Sequence, residues 1–315
     1  MDPFKRELSV RASILYYELD KTQSEIANEL GISRSYVSQL LNSAKRNGIV
    51  EIKVKVDGHN LRMIRMEVDL QRKFPDVRQM YIMRSDSHQF TASQMGKFAA
   101  PYILDLIKKA NVIGVGVGHS VAGVMTGLEN ENFAGMKKKV LVQMLGGLTS
   151  DIAEKAHPHE IIQKIRSRLD CEYYPINCPA VIENVGIRNA LLAEQSIKRS
   201  TNIWNDIDLA ILGLGPADRR ALLFSMFSDR MVREIEKKGV CGELNINFFD
   251  INGTYVPLLE QNKVSTPFKV LTAIPTKVVV GYGDQKIEPI LGALNGGLID
   301  VLFTDSLTAE GINRY

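Results

Sequence analysis

Five short apolar runs recur along the chain: VRQMYIM from Val77, NVIGVGVG from Asn111, KVLVQMLGG from Lys139, IDLAILGLG from Ile207 and KVVVGYG from Lys277. Stretches of helical texture separate them, such as residues 92–109 and 187–199. Strands that alternate with helices predict a parallel sheet with helices on both faces, a Rossmann-like α/β fold. Four of the five runs finish in glycine. In such sheets ligands sit outside the carboxyl ends of the strands, where the backbone must approach closely. The sheet is therefore expected to carry a ligand site.

The first 57 residues have a different texture. Leu8, Ala12, Leu15, Tyr16 and Leu19 fall on one face of a first helix. Thr22, with Glu25 three residues on, forms a capping box for a second helix that runs to Leu30. Gly31 suits a left-handed C-terminal position, and Ser33 caps a third helix that Gly48 ends. Ile26, Ala27, Leu30, Ile32, Val37, Leu40 and Leu41 supply the skeleton of two short helices crossing around a tight turn. The alternating IVEIKVKV, residues 49–56, reads as a strand or wing.

This predicts a winged helix-turn-helix. Short hydrogen-bonding side chains at the front of its second helix suit a major groove. The residues expected to meet DNA are Thr22, Gln23, Ser33, Arg34, Ser35, Tyr36, Ser38, Gln39, Asn42, Lys45 and Arg46. Arg34 matches guanine and Gln39 adenine, whereas Lys45, Arg46, Lys53 and Lys55 suit phosphates.

Length fits two or three domains: 315 residues exceed one small domain. The reading places a DNA-binding domain at 1–57, a linker helix at 58–76 and an effector domain at 77–315. A net charge of +3 does not by itself identify a polyanion partner. Cys171, Cys178 and Cys241 have neither zinc-knuckle nor redox spacing, which points to reduced thiols. The N-terminus MDPFKREL lacks the apolar core of a signal peptide and no run is long enough to span a bilayer, so a cytoplasmic protein is expected.

The helix-turn-helix with Gln23, Ile26, Ala27 and LGIS, joined to a series of glycine blocks, resembles the SorC family of bacterial sugar-responsive transcriptional regulators. The blocks are GVGVGHSV from Gly114, QMLGGLTSD from Gln143, CPAVIENVG from Cys178, LAILGLGPAD from Leu209, GELNINFFDING from Gly242 and GYGDQK from Gly281. Val117 stands where the family usually has tryptophan. The resemblance implies a C-terminal domain similar to phosphosugar isomerases and glucosamine-6-phosphate deaminase. It also implies a sugar or sugar-phosphate effector, operator DNA as partner, and dimers assembling to tetramers. Gly116, Gly118, His119, Ser120, Gly146, Gly147, Gly215, Glu243, Gly283 and Lys286 are the expected effector-binding residues. Lys286 opposes the dipole of the helix that follows it, a cost that an intervening phosphate would offset.

The alternative is a phosphosugar isomerase or deaminase with an appended nucleic-acid module, using Glu243, Asp218 or His119 as base. A DNA-reading head gives such an enzyme no obvious advantage, so no catalytic residue is expected. His157 and His159 form an H-x-H pair without a third ligand nearby, and no metal or cofactor is expected.

Overall fold

The computed structural model describes residues 2–52, 58–87, 91–148 and 158–315. The chain divides into two compact units, Met1–Asp57 and Gly58–Tyr315.

The first unit holds α1 (Pro3–Tyr17), α2 (Gln23–Leu30) and α3 (Arg34–Arg46). Its core is Ala12, Ile26, Ala27, Val37, Leu40 and Leu41. The caps follow the sequence. Thr22 Oγ1 accepts from the Glu25 N–H while the Glu25 carboxylate accepts from the Thr22 N–H, satisfying two donors that the helix leaves open. Gly31 closes α2 at φ 65°, and Ser33 Oγ accepts from the Tyr36 N–H at 3.1 Å. Two expectations change. Leu19 lies beyond the end of α1 and is exposed, so that helix's apolar face stops at Tyr16 and Tyr17. Residues 49–52 form bends and coil rather than a strand, and the remainder of the expected wing, with Lys53 and Lys55, lies outside the described residues.

The second unit opens with α4 (Gly58–Lys73) and β1 (Gln79–Met83). Then come α5 (Ala92–Lys109), β2 (Val112–Val115), α6 (His119–Leu128), β3 (Lys139–Gln143), α7 (Pro158–Arg166) and β4 (Cys171–Tyr174). Helices α8 (Val185–Ala193) and α9 (Gln195–Ile203) follow, then β5 (Leu209–Gly213), β6 (Gly215–Pro216) and α10 (Asp229–Glu236). The chain continues through β7 (Gly242–Leu244), β8 (Asn247–Phe249), β9 (Tyr255–Val256) and α11 (Phe268–Ala273). It ends with β10 (Thr276–Val280), α12 (Ile287–Asn295), β11 (Val301–Asp305) and α13 (Ser306–Asn313).

Seven of these strands form a parallel sheet in the order β1-β11-β10-β5-β2-β3-β4. Alternate residues along each strand feed two cores, one per face. Ile113, Val115, Ile211, Val278 and Phe303 pack under α5, α6 and α7. Ala210, Leu212, Val279 and Leu302 pack with Leu70 of α4, Leu271, Leu294 and Ile312. Helix α4, expected as a linker, thus contributes Met63 and Leu70 to the core of the larger unit, and Phe74 just after it adds to that core. The stretch 187–199, expected as one helix, is two, because Glu194 is extended (φ −61°, ψ 132°) between α8 and α9.

A small antiparallel sheet, β6-β7-β8-β9, was not anticipated. The turn between β8 and β9 follows from the Asp-Ile-Asn-Gly sequence: Asp250 Oδ1 accepts from the N–H groups of Asn252 and Thr254, and Gly253 has φ 79°. Both additional parallel strands, β4 and β11, also went unread. The CEYY of β4 is a short edge segment, and VLFTD of β11 ends in Asp305, which caps α13, instead of in glycine.

Candidate functional site

Strands β2 and β5 are neighbours in the sheet, yet β2 leads on to β3 and β4 at one side while β5 leads on to β10 and β11 at the other. The order reverses between them, which is where doubly wound sheets open a crevice. A cavity of about 210 Å³ occupies this point. The loops after β2, β5 and β10 line it, joined by β6, β7 and the residue after β7.

Several glycines let these loops converge. A Cβ at Gly116 would stand 3.3 Å from the Ile211 carbonyl, and one at Gly213 would stand 3.0 Å from the Val117 carbonyl. At Gly215 it would meet Glu243 Oε1 at 2.6 Å, so a side chain there would displace that carboxyl. Gly118 begins α6 at φ 113° with no side chain capping the helix. The first-turn N–H groups of α6 are thereby left for a ligand, at the positive end of the helix dipole.

Lys286 Nζ lies 3.4 Å from Ser120 Oγ and 5.4 Å from the centroid of the Tyr282 ring. The residue as a whole is half-buried, but its ammonium is the sunken end. Burial lowers its pKa to about 8, against the opposing pull of Glu243. Glu243 is 5% exposed, and burial raises its carboxyl to about 7 despite the Ile246 N–H and Lys286, which both favour the charged form. The Ser120 hydroxyl also hydrogen-bonds the Tyr282 hydroxyl. The cavity thus offers the Lys286 ammonium, backbone donors and a buried carboxyl, with the Arg220 guanidinium at its wall engaged by Asp218.

Of the ten effector residues expected from sequence, Gly116, Gly118, His119, Ser120, Gly215, Glu243 and Lys286 line this cavity, as does Val117. Gly146, Gly147 and Gly283 do not. Gly146 and Gly147 serve close backbone packing. Gly147 donates to the Cys178 carbonyl and accepts from Ala180, and a Cβ on Gly146 would lie 2.6 Å from that same carbonyl. Gly283, at φ 92°, donates to Thr308 Oγ1 and shapes the turn that brings Tyr282, Gln285 and Lys286 inward.

Asp218 is held by Arg220, whose guanidinium donates to both carboxylate oxygens and keeps the Asp218 pKa low. Arg220, Asn245, Tyr282 and Gln285 line the cavity but were not read from sequence. Gln285 lies next to Lys286 in the GYGDQK block, a proximity that could have marked it, whereas nothing local marks Asn245. Among the described residues no cluster could hold a metal; His157 lies outside them, and Pro158 opens α7.

The first unit presents a second surface. Ser35, Gln39, Asn42 and Arg46 fall at i, i+4, i+7 and i+11 of α3 and are exposed, opposite buried Val37, Leu40, Leu41 and Ala44. Arg34 is exposed at the start of that helix and lines a cleft with Thr22 and Gln23 at the start of α2. Lys45 lies 5.8 Å from the Tyr17 ring centroid. Tyr36 and Ser38 are half-buried, and Tyr36 packs on the core of this unit. Ser33 and Thr22 are exposed while their hydroxyls act as caps.

Residues 59–312 match the family model described as "Putative sugar-binding domain", and residues 14–47 match that of "Sigma-70, region 4". The chain is 29% identical over 309 residues to the sorbitol operon regulator of Klebsiella pneumoniae, covering 96% of each. It is 25% identical over 316 residues to the deoxyribonucleoside regulator of Bacillus subtilis, covering 99% of each. The crystal structure of the full-length sorbitol operon regulator SorC from Klebsiella pneumoniae matches with a TM-score of 0.74 at 28% identity. That match covers 97% of this chain and 98% of that one. A helix-turn-helix head on a sugar-binding α/β domain defines a transcriptional regulator, not a phosphosugar enzyme. The chain belongs to the SorC family of sugar-binding transcriptional regulators.

Proposed function

We propose that α3 reads operator DNA and that a phosphorylated sugar in the switch-point cavity controls that binding. The observation that carries this reading is Lys286. Its ammonium is sunk in a cavity beside the uncapped N-terminus of α6. A buried cation costs free energy unless an anion accompanies it, and a phosphate would meet both the lysine and the helix N–H groups. Arg220 is within reach as a second cation if Asp218 releases it. A volume near 210 Å³ suits one monosaccharide phosphate rather than a larger glycan.

In the head, Arg34, Ser35, Gln39 and Asn42 supply base contacts, while Lys45, Arg46 and the start of α2 with Gln23 supply phosphate contacts. Paired half-sites call for paired heads, so the working form is a homo-oligomer. The effector acts by favouring one arrangement of that oligomer, a coupling of about 1–3 kcal/mol.

The test is fluorescence anisotropy on operator DNA with and without sugar phosphates, for the wild type and for Lys286→Ala. A change in DNA affinity of about 5- to 150-fold on adding the effector is expected. Lys286→Ala should bind DNA normally and respond only at much higher effector concentration. An unchanged dose response removes Lys286 from the site.

A further inference from the structure

Strands β7 and β8 are joined by a two-residue turn, Asn245-Ile246, with Leu244 paired to Asn247. Both turn residues are left-handed, at φ 56° and φ 58°. That is the turn type whose twist matches a hairpin. Asparagine tolerates this backbone, whereas a β-branched isoleucine is strained by it. The surroundings hold it in place. Glu243 Oε2 accepts from the Ile246 N–H at 3.0 Å, buried Lys263 donates to the Ile246 carbonyl at 3.3 Å, and Ile246 itself is fully buried. A conformation over-determined in this way keeps Asn245 in one position.

Asn245 is 5% exposed and lines the cavity together with Glu243. Its Nδ2 donates to the Met144 carbonyl at 3.0 Å. That carbonyl also accepts from the N–H and hydroxyl of Thr266, so only the amide's NH2 end can face it. The orientation of the amide is therefore fixed, and Oδ1 points away from Met144. This Oδ1 is buried and has no donor among the described residues. A buried acceptor without a donor is costly, and here it belongs to a residue of the ligand cavity's wall.

We infer that Asn245 is a specificity-determining residue: its Oδ1 accepts a hydrogen bond from one hydroxyl of the effector, selecting sugars that carry that hydroxyl over the corresponding deoxy sugars. The inference rests on the sugar-phosphate reading of the cavity and deepens it. An acceptor cannot hold the anionic group, which is left to Lys286 and α6. Oδ1 is already shut off from water, so the parent hydroxyl supplies the donor it lacks and a deoxy analogue does not. That is why sites built around a hydroxyl reject its absence far more strongly than they reject an altered apolar group.

The experiment is isothermal titration calorimetry on the full chain, using ribose 5-phosphate, glucose 6-phosphate, fructose 6-phosphate and the monodeoxy analogues of whichever binds best. Wild type and Asn245→Gly are compared, since glycine accepts the left-handed backbone. Asn245→Gly is expected to lower affinity for the parent sugar phosphate by roughly 10- to 100-fold. One monodeoxy analogue should bind the wild type comparably weakly and should bind Asn245→Gly as well as the parent does. If the wild type binds every monodeoxy analogue as tightly as the parent, the inference is overturned whatever the variant does. It is equally overturned if Asn245→Gly retains the parent affinity or the same discrimination. Failure of the wild type to bind any of these phosphates would instead remove the sugar-phosphate reading itself.

Discussion

Glu243 and Lys286 titrate toward each other across the physiological range, the carboxyl at about 7 and the ammonium at about 8. The folded chain keeps on Glu243 a proton that the unfolded chain gives up near 4.5. That contribution to stability is complete below the unfolded value and is lost as pH rises through about 7. Lys286 runs the other way. The cost of burying its charge is felt below about 8 and fades as pH climbs toward the unfolded value of 10.5. An anionic effector wants a neutral Glu243 and a charged Lys286, so its affinity should fall as pH rises through these two values. Calorimetry above the phosphate's own second ionisation, about 6, checks this. Glu243→Gln should remove the lower part of the fall. His119, Arg220 and Tyr282 also face the cavity, and their variants serve as controls. In the head, Arg34→Ala and Gln39→Ala should each cost about 1–3 kcal/mol of specific DNA affinity while the melting temperature stays unchanged, measured by anisotropy and calorimetry. Single residues were unevenly legible. Lys286 stood out because a lysine before a helix is electrostatically odd. Asn245 did not, because its meaning depends on Met144, about 100 positions away. Gly146 and Gly147 pack against backbone, and in sequence a glycine looks the same whether a ligand or another backbone approaches it.

Elements whose ends are set by local chemistry were read closely. Helices α2 and α3 lie where their caps put them, and α5 spans the expected residues. The small antiparallel sheet was not read. The strands β6 to β9 are two or three residues long and are held by their antiparallel neighbours, so no periodicity could reveal them. One helix pair bears directly on the site. Helices α5 and α6 meet backbone to backbone: a Cβ on Gly96 would lie 1.8 Å from the Gly123 carbonyl, and one on Gly123 would lie 2.1 Å from the Ala92 carbonyl. Gly123→Ala must push α6 away, and α6 carries Gly118, His119 and Ser120 at its start. The expected result is a loss of about 1–3 kcal/mol or more in stability, seen in chemical denaturation, together with weaker effector binding.

At the scale of the molecule, the two units have separate cores, and the candidate effector cavity is lined by residues of the larger one. A ligand that binds only the native state at 100 times its Kd adds about 2.7 kcal/mol. Differential scanning calorimetry should therefore show the transition of the larger unit rising with sugar phosphate while that of the head stays fixed. The strand order has a consequence for synthesis. β1, the first strand of the sheet, bonds only to β11, whose residues emerge about 220 positions later. The head's three helices, by contrast, close their contacts within 57 residues. On the ribosome the reader of DNA can be complete long before the sensor that governs it, since local contacts form early and distant parallel pairings late. A nascent chain stalled before Val301, or a transcript truncated there, would present a finished head with an open sheet edge at β10.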